Sequence, residues 1–119
     1  MKTKAVLYLR CAVLENKPNN AILMQEKTLE DFCRKENFEI VNRFADICSG
    51  SHFRRKEWQN LLKYVELNKS IDVILITHFD RYSRNISEGI KMTKILQALG
   101  VTLYATEQNF EVTAKQDIN

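Results

Sequence analysis

Ile71-Asp72-Val73-Ile74-Leu75-Ile76-Thr77 is a short apolar run dense in β-branched residues. It has the pattern of a strand buried on both faces, and such strands belong to parallel sheets covered by helices on either side. The apolar pattern then gives way to Asp80, Arg81 and Arg84. In an open α/β sheet, ligands sit beyond the carboxyl ends of the strands. Two arginines there suit a phosphate, because the guanidinium fork is planar, always charged and bonds phosphate in a bidentate way. Taken alone, D-R-x-x-R serves equally well as a surface ion pair capping the next helix.

The rest of the chain repeats this alternation. Residues 5–9 form a first apolar strand ending at Arg10. Residues 11–20 are polar, hold Pro18 and Asn19-Asn20, and read as a loop. A helix follows over 21–36, with Ile22, Gln25, Leu29, Phe32 and Cys33 spaced for one face. Residues 38–44 alternate as a second strand and 46–54 make a long loop. A second helix spans 56–67, with Trp58, Leu61, Leu62 and Val65 inward. After the third strand at 71–77, a third helix starts near Ile86 and stops before Gly100. It carries Ile90, Thr93, Ile95, Leu96 and Leu99 mostly on one face. Residues 101–105 are a fourth strand. The order βαβαβαβ predicts one α/β domain over 1–105, a three-layer sandwich around a mainly parallel sheet. The polar tail 106–119 holds a short edge strand around Phe110-Glu111-Val112 and then frays.

A chain of 119 residues builds one core, not two. Its net charge of +3 permits nucleic-acid binding without demanding it. Cys11, Cys33 and Cys48 form no C-x-x-C pair, and unpaired thiols fit a reducing cytoplasm. The apolar run after Met1-Lys2-Thr3-Lys4 is short and broken at Arg10, so neither a signal peptide nor a membrane span is expected there. His52 and His78 lack ligand-spaced partners, and no metal or cofactor is expected.

The charged residues collect after the strands. Arg10 follows the first, Asp46 and Ser49-Gly50 the second, and Asp80, Arg81 and Arg84 the third. Parallel strands bring these ends to one rim, and Arg55 can fold over it. Such a cluster could neutralise a phosphodiester and the added charge of its pentacovalent transition state. The plainer alternative is a solvated rim with scattered ion pairs. Arginines crowded together repel, so the rim is expected to be mobile or anion-filled. Arg54-Arg55-Lys56 is either a solvated face or a backbone contact for DNA. Ser49 and Ser83 suit loop or cap roles, Asn85 suits a helix cap, and Trp58 belongs in the core.

In this register the chain resembles the catalytic domain of the serine recombinases, the resolvase–invertase family. The matching pieces are Tyr8-Leu9-Arg10, Gln25, Phe44 with Asp46, Ser49-Gly50, Arg55-Lys56, Asp80-Arg81 with Arg84-Asn85, and Gly100 to Leu103. The resemblance implies a flavodoxin-like or Rossmann-like domain that cuts and rejoins DNA without a cofactor. A serine hydroxyl attacks the scissile phosphate, leaving a 5′-phosphoserine and a free 3′-hydroxyl. By position, Arg10, Arg55, Arg81 and Arg84 activate the phosphate, and Asp80 orients an arginine or assists proton transfer. Gln25, Asp46 and Ser49 support them. The resemblance also implies a homodimer, a tetramer in the synaptic complex, and a downstream dimerisation helix and DNA-binding region absent from these residues.

One position departs from the pattern. Where the family reads Y-x-R-V-S, this chain reads Tyr8-Leu9-Arg10-Cys11-Ala12, and a methyl group cannot attack phosphorus. A deliberate replacement, a degenerate non-catalytic relative and a displaced nucleophile at Cys11 are the three explanations. The last is disfavoured, because neighbouring residues at a strand end point to opposite faces and Cys11 suits a small buried hydrophobe. Two further classes stay open. One is a regulatory or DNA-architectural homologue. The other is a small phosphate- or nucleotide-binding α/β module, for which the first loop lacks a G-x-G-x-x-G or P-loop pattern.

Overall fold

The computed structural model describes residues 2–15 and 17–113. The elements in chain order are β1 (Lys4–Cys11), α1 (Pro18–Glu36), β2 (Glu39–Ile47), α2 (Lys56–Leu67), β3 (Val73–Ile76), α3 (Phe79–Tyr82), α4 (Ile86–Ala98), β4 (Thr102–Ala105) and β5 (Phe110–Val112). The strands form one sheet in the order β2-β1-β3-β4-β5. All neighbours are parallel except β4 and β5, which pair antiparallel. All four residues of β3 are buried, as its unbroken apolar run requires.

Two cores flank the sheet. On one face Leu29 and Cys33 of α1 pack on Ala5, Leu7, Leu9, Val73 and Leu75. On the other, Trp58, Leu61 and Val65 of α2 and Met92 and Leu96 of α4 pack on Tyr8, Ile74, Ile76 and Leu103. Trp58 is fully buried and meets Tyr8 edge-on at 4.9 Å.

Several features differ from the sequence expectation. Helix α1 begins at Pro18 rather than after Asn20, with Lys17 left-handed before it (φ 52°). Proline serves the first helical position, where its fixed φ fits and its missing N–H goes unneeded. Strand β2 continues to Ile47 because it pairs with β1 to the end, setting Asp46 opposite Arg10. Asp46 is therefore a strand residue and not a loop residue. The single turn α3 went unforeseen, since four residues carry no readable period. In α4, Met92 turns inward while Ile95 is 47% exposed. The expected fraying of the tail falls largely on residues 114–119, outside the described residues.

Candidate functional site

Arg10 is the penultimate residue of β1 and is only 1% exposed. Its guanidinium donates to three main-chain carbonyls: Nε to Arg81 O at 3.0 Å, Nη1 to Cys48 O at 2.6 Å and Nη2 to Asp80 O at 2.8 Å. One side chain thereby ties the β2–α2 loop to α3. Its backbone is clasped by the buried Gln25 amide, which accepts from Arg10 N at 3.2 Å and donates to Arg10 O at 3.0 Å. Burial, reinforced by the Arg55 charge, lowers the Arg10 pKa below its ordinary value.

Arg55 precedes α2 and is equally buried. It donates to His52 O at 2.8 Å, to Gly50 O at 3.2 Å and to the Tyr8 hydroxyl at 3.3 Å. Its guanidinium lies 4.4 Å from the centre of the Phe53 ring. Tyr8 passes the link on, donating to Asp46 Oδ2 at 2.8 Å. The same carboxylate accepts the amides of Glu57 and Trp58, both at 3.0 Å. Asp46 thus caps α2 from a neighbouring strand, where the helix has no side-chain cap of its own. Burial drives the Tyr8 pKa strongly upward, so its hydroxyl stays protonated as the donor.

Gly50 is where the arginines converge. Its carbonyl accepts from Arg55 and from the Arg84 amide, the latter at 2.8 Å. A Cβ there would stand 2.6 Å from Arg84 Cγ and 2.8 Å from Arg10 Nη2. A side chain at position 50 would displace both. Beside it a groove of about 280 Å³ is lined by Ala12, Val13, Leu14, Ser49, Gly50 and Arg84. Arg84 is exposed, and its guanidinium makes no hydrogen bond among the described residues.

Ala12 opens a tight turn in which Glu15 N donates to Ala12 O at 3.1 Å. Glu15 Oε2 accepts the Ala12 amide at 2.6 Å and Arg81 Nη1 at 2.8 Å. Arg81 Nη1 also reaches Arg10 O at 3.2 Å. The Arg81 bond, followed by the Ala12 amide, holds the Glu15 carboxyl below its usual range. Sequence reasoning missed Glu15. Its signal was half a capping box, A-x-x-E, with alanine where serine or threonine would mark it.

Three of the rim arginines are anchored within the fold: Arg10 and Arg55 are buried on carbonyl oxygens, and Arg81 pairs with Glu15. Asp80 binds Arg10 through its main-chain oxygen, while its exposed carboxylate pairs with no cation among the described residues. Other expectations match the geometry. Ser49 bonds Ser51 within the loop. Ser83 bonds Asn85, and Asn85 caps α4 by accepting from Glu88 N at 3.2 Å. Cys11 is fully buried, with its thiol pKa raised by burial and then by the Glu15 charge. That environment disfavours a thiolate nucleophile. Among the described residues no cluster of three metal-ligating side chains occurs, and no helix is long and apolar enough to cross a membrane.

Residues 5–118 match the family described as the resolvase N-terminal domain. The N-terminal catalytic domain of TP901-1 integrase is similar in fold, with a TM-score of 0.82 at 20% identity over 92% of this chain and 82% of that one. A resolvase family site-specific recombinase from Streptococcus pneumoniae gives 0.81 at 19% identity, over 98% and 80%. The C-terminal catalytic domain of ISC1926 TnpA, an IS607-like serine recombinase, gives 0.76 at 28% identity, over 87% and 67%. No curated protein matches the chain significantly.

Proposed function

The chain belongs to the family of resolvase N-terminal domains, and on that premise we propose that it is the catalytic domain of a site-specific DNA recombinase with Ala12 at the position of the nucleophile. The observation that carries this reading is the gathering of Arg10, Arg55 and Arg84 on Gly50, beside the groove that Ala12 lines. Arg84 and Arg81 lie at the surface, where they can take the phosphate oxygens. Arg10 and Arg55 are buried behind them and position the loops while adding fixed positive potential. With a hydroxyl at position 12, the new Oγ–P bond forms as the P–O3′ bond breaks. The hydroxyl proton ends on the departing 3′-oxygen. With a methyl group the groove binds a phosphodiester and leaves it whole.

DNA is the partner, and a homodimer that pairs into a tetramer is the working assembly. A dimerisation helix and a DNA-binding region supply affinity and site choice beyond this domain. Asp80, Gln25, Asp46 and Ser49 act in support: Gln25 by clasping the Arg10 backbone, Asp46 by capping α2, Ser49 by shaping the loop, and Asp80 chiefly through its carbonyl. Three unpaired cysteines suit a reducing cytoplasm.

The test is a suicide-substrate assay on the full-length protein with and without Ala12→Ser. A covalent protein–DNA adduct in the serine variant alone is the expected result. An adduct in the unchanged protein would point to another nucleophile. No adduct from either, with folding and DNA binding intact, would favour the second reading that Ala12 itself suggests, a non-catalytic DNA-binding or regulatory homologue.

A further inference from the structure

Glu15 sits on two donors that an incoming phosphate oxygen would use. A single carboxylate oxygen, Oε2, accepts the Ala12 amide at 2.6 Å and the Arg81 guanidinium at 2.8 Å. A main-chain N–H beside an arginine is a strong anion-binding pair. Ala12 also lines the groove with Gly50 and Arg84, so the pair adjoins that groove through its main-chain donor. From this we infer that Glu15 is a built-in competitor for the phosphate seat, which an incoming phosphodiester must displace. The inference rests on the reading of the groove as a phosphate site.

Three features make Glu15 a displaceable occupant and not merely a turn cap. The ion pair is open to solvent: the Arg81 and Glu15 side chains keep 25% and 31% of their exposure. A pair open to water contributes little stability, and a phosphodiester oxygen of the same charge can take the carboxylate's place. Arg81 has a second tether, the Arg10 carbonyl at 3.2 Å, so it stays in place when the carboxylate leaves. Glu15 belongs to a short turn closed by one main-chain bond, from its own amide to the Ala12 carbonyl. Its side chain can therefore swing out without disturbing β1. In the closed arrangement the Arg81 charge is neutralised. In the open one the Arg81 charge and the Ala12 amide are both unmasked. Glu15 thereby sets a threshold that a weakly bound anion does not pass and a well-positioned phosphodiester does.

The decisive experiment titrates inorganic phosphate into the chain and into its Glu15→Gln, Arg81→Gln and combined Glu15→Gln/Arg81→Gln variants. The Ala12 amide resonance follows binding. Glutamine keeps an acceptor for the Ala12 N–H, so the turn persists while the charge on Arg81 is unmasked, and thermal melts check the fold. Glu15→Gln should bind phosphate about tenfold more tightly than the parent, and the added Arg81→Gln change should erase that gain. A gain that survives Arg81→Gln would reflect general charge and overturn the inference. If Glu15→Gln binds no better than the parent while Arg81→Gln weakens binding, the phosphate site stands and the competitor role falls. Absence of binding in every variant would remove the phosphate site and its competitor together. Glu15→Ala serves as the second neutral variant: if it does not reproduce the gain, the effect belongs to glutamine and the inference fails.

Discussion

Gly50 is the residue on which the site depends most tightly. Its carbonyl receives Arg55 and the Arg84 amide, and the space its missing side chain leaves is filled by Arg84 Cγ and the Arg10 guanidinium. Gly50→Ala should therefore push both arginines aside. An overpacked site of this kind costs about 1–3 kcal/mol, readable by urea denaturation, and phosphate binding should fall with it. An unchanged affinity in Gly50→Ala would mean that Arg10 and Arg84 are not held by this contact. Ser49-Gly50 was legible as a motif in the sequence, but the reason for the glycine was not. Nothing local predicts that two arginines distant in the chain arrive at the same point. Arg10 and Arg84 were legible as charges after strands; their division into a buried strut and an exposed contact was not.

At the scale of elements, α2 depends on another strand for its N-terminus. Its own first residues provide no side-chain cap, and Asp46 of β2 accepts two of its leading amides together with the Tyr8 hydroxyl. Replacing this buried carboxylate orphans three donors. Asp46→Ala should cost about 3 kcal/mol, since bonds to charged groups contribute about 1.5–3 kcal/mol. Asp46→Asn keeps an acceptor and should cost roughly 1 kcal/mol. Urea unfolding measures both, and a stable Asp46→Ala protein would mean that the cap is not a structural necessity. The span of α2 was plain from its apolar spacing, and its bounds match the expectation. The starts of α1 and α3 were obscure for different physical reasons. Pro18 signals a loop and a helix start alike, and a single turn such as α3 is too short to show a period.

Across the whole molecule, the fold shields the thiols to different degrees. Cys11 and Cys33 are buried and Cys48 is half-buried. Burial pushes the Cys33 thiol up to about 11. Burial, then the Asp46 charge, also raises Cys48. Labelling with a thiol reagent near pH 8 should modify Cys48 alone in the folded protein, slowly, and faster as the pH rises. Cys11 and Cys33 should react only on unfolding. Rapid native labelling of Cys11 would show that β1 and α1 part more easily than their packing indicates. The amino-acid sequence alone determined the class of fold, the β–α alternation, the buried central strand and the rim on which the arginines gather. These follow from the periodicity of apolar residues and from the rule that parallel strands end on one side. Tertiary structure alone decided that Arg10 and Arg55 turn inward onto carbonyl oxygens, that Asp46 on β2 caps α2, and that Glu15 sits on Arg81. Each of these contacts joins residues whose meeting depends on strand register and loop path. Local sequence carries no measure of either, because both are settled by the packing of the entire sheet.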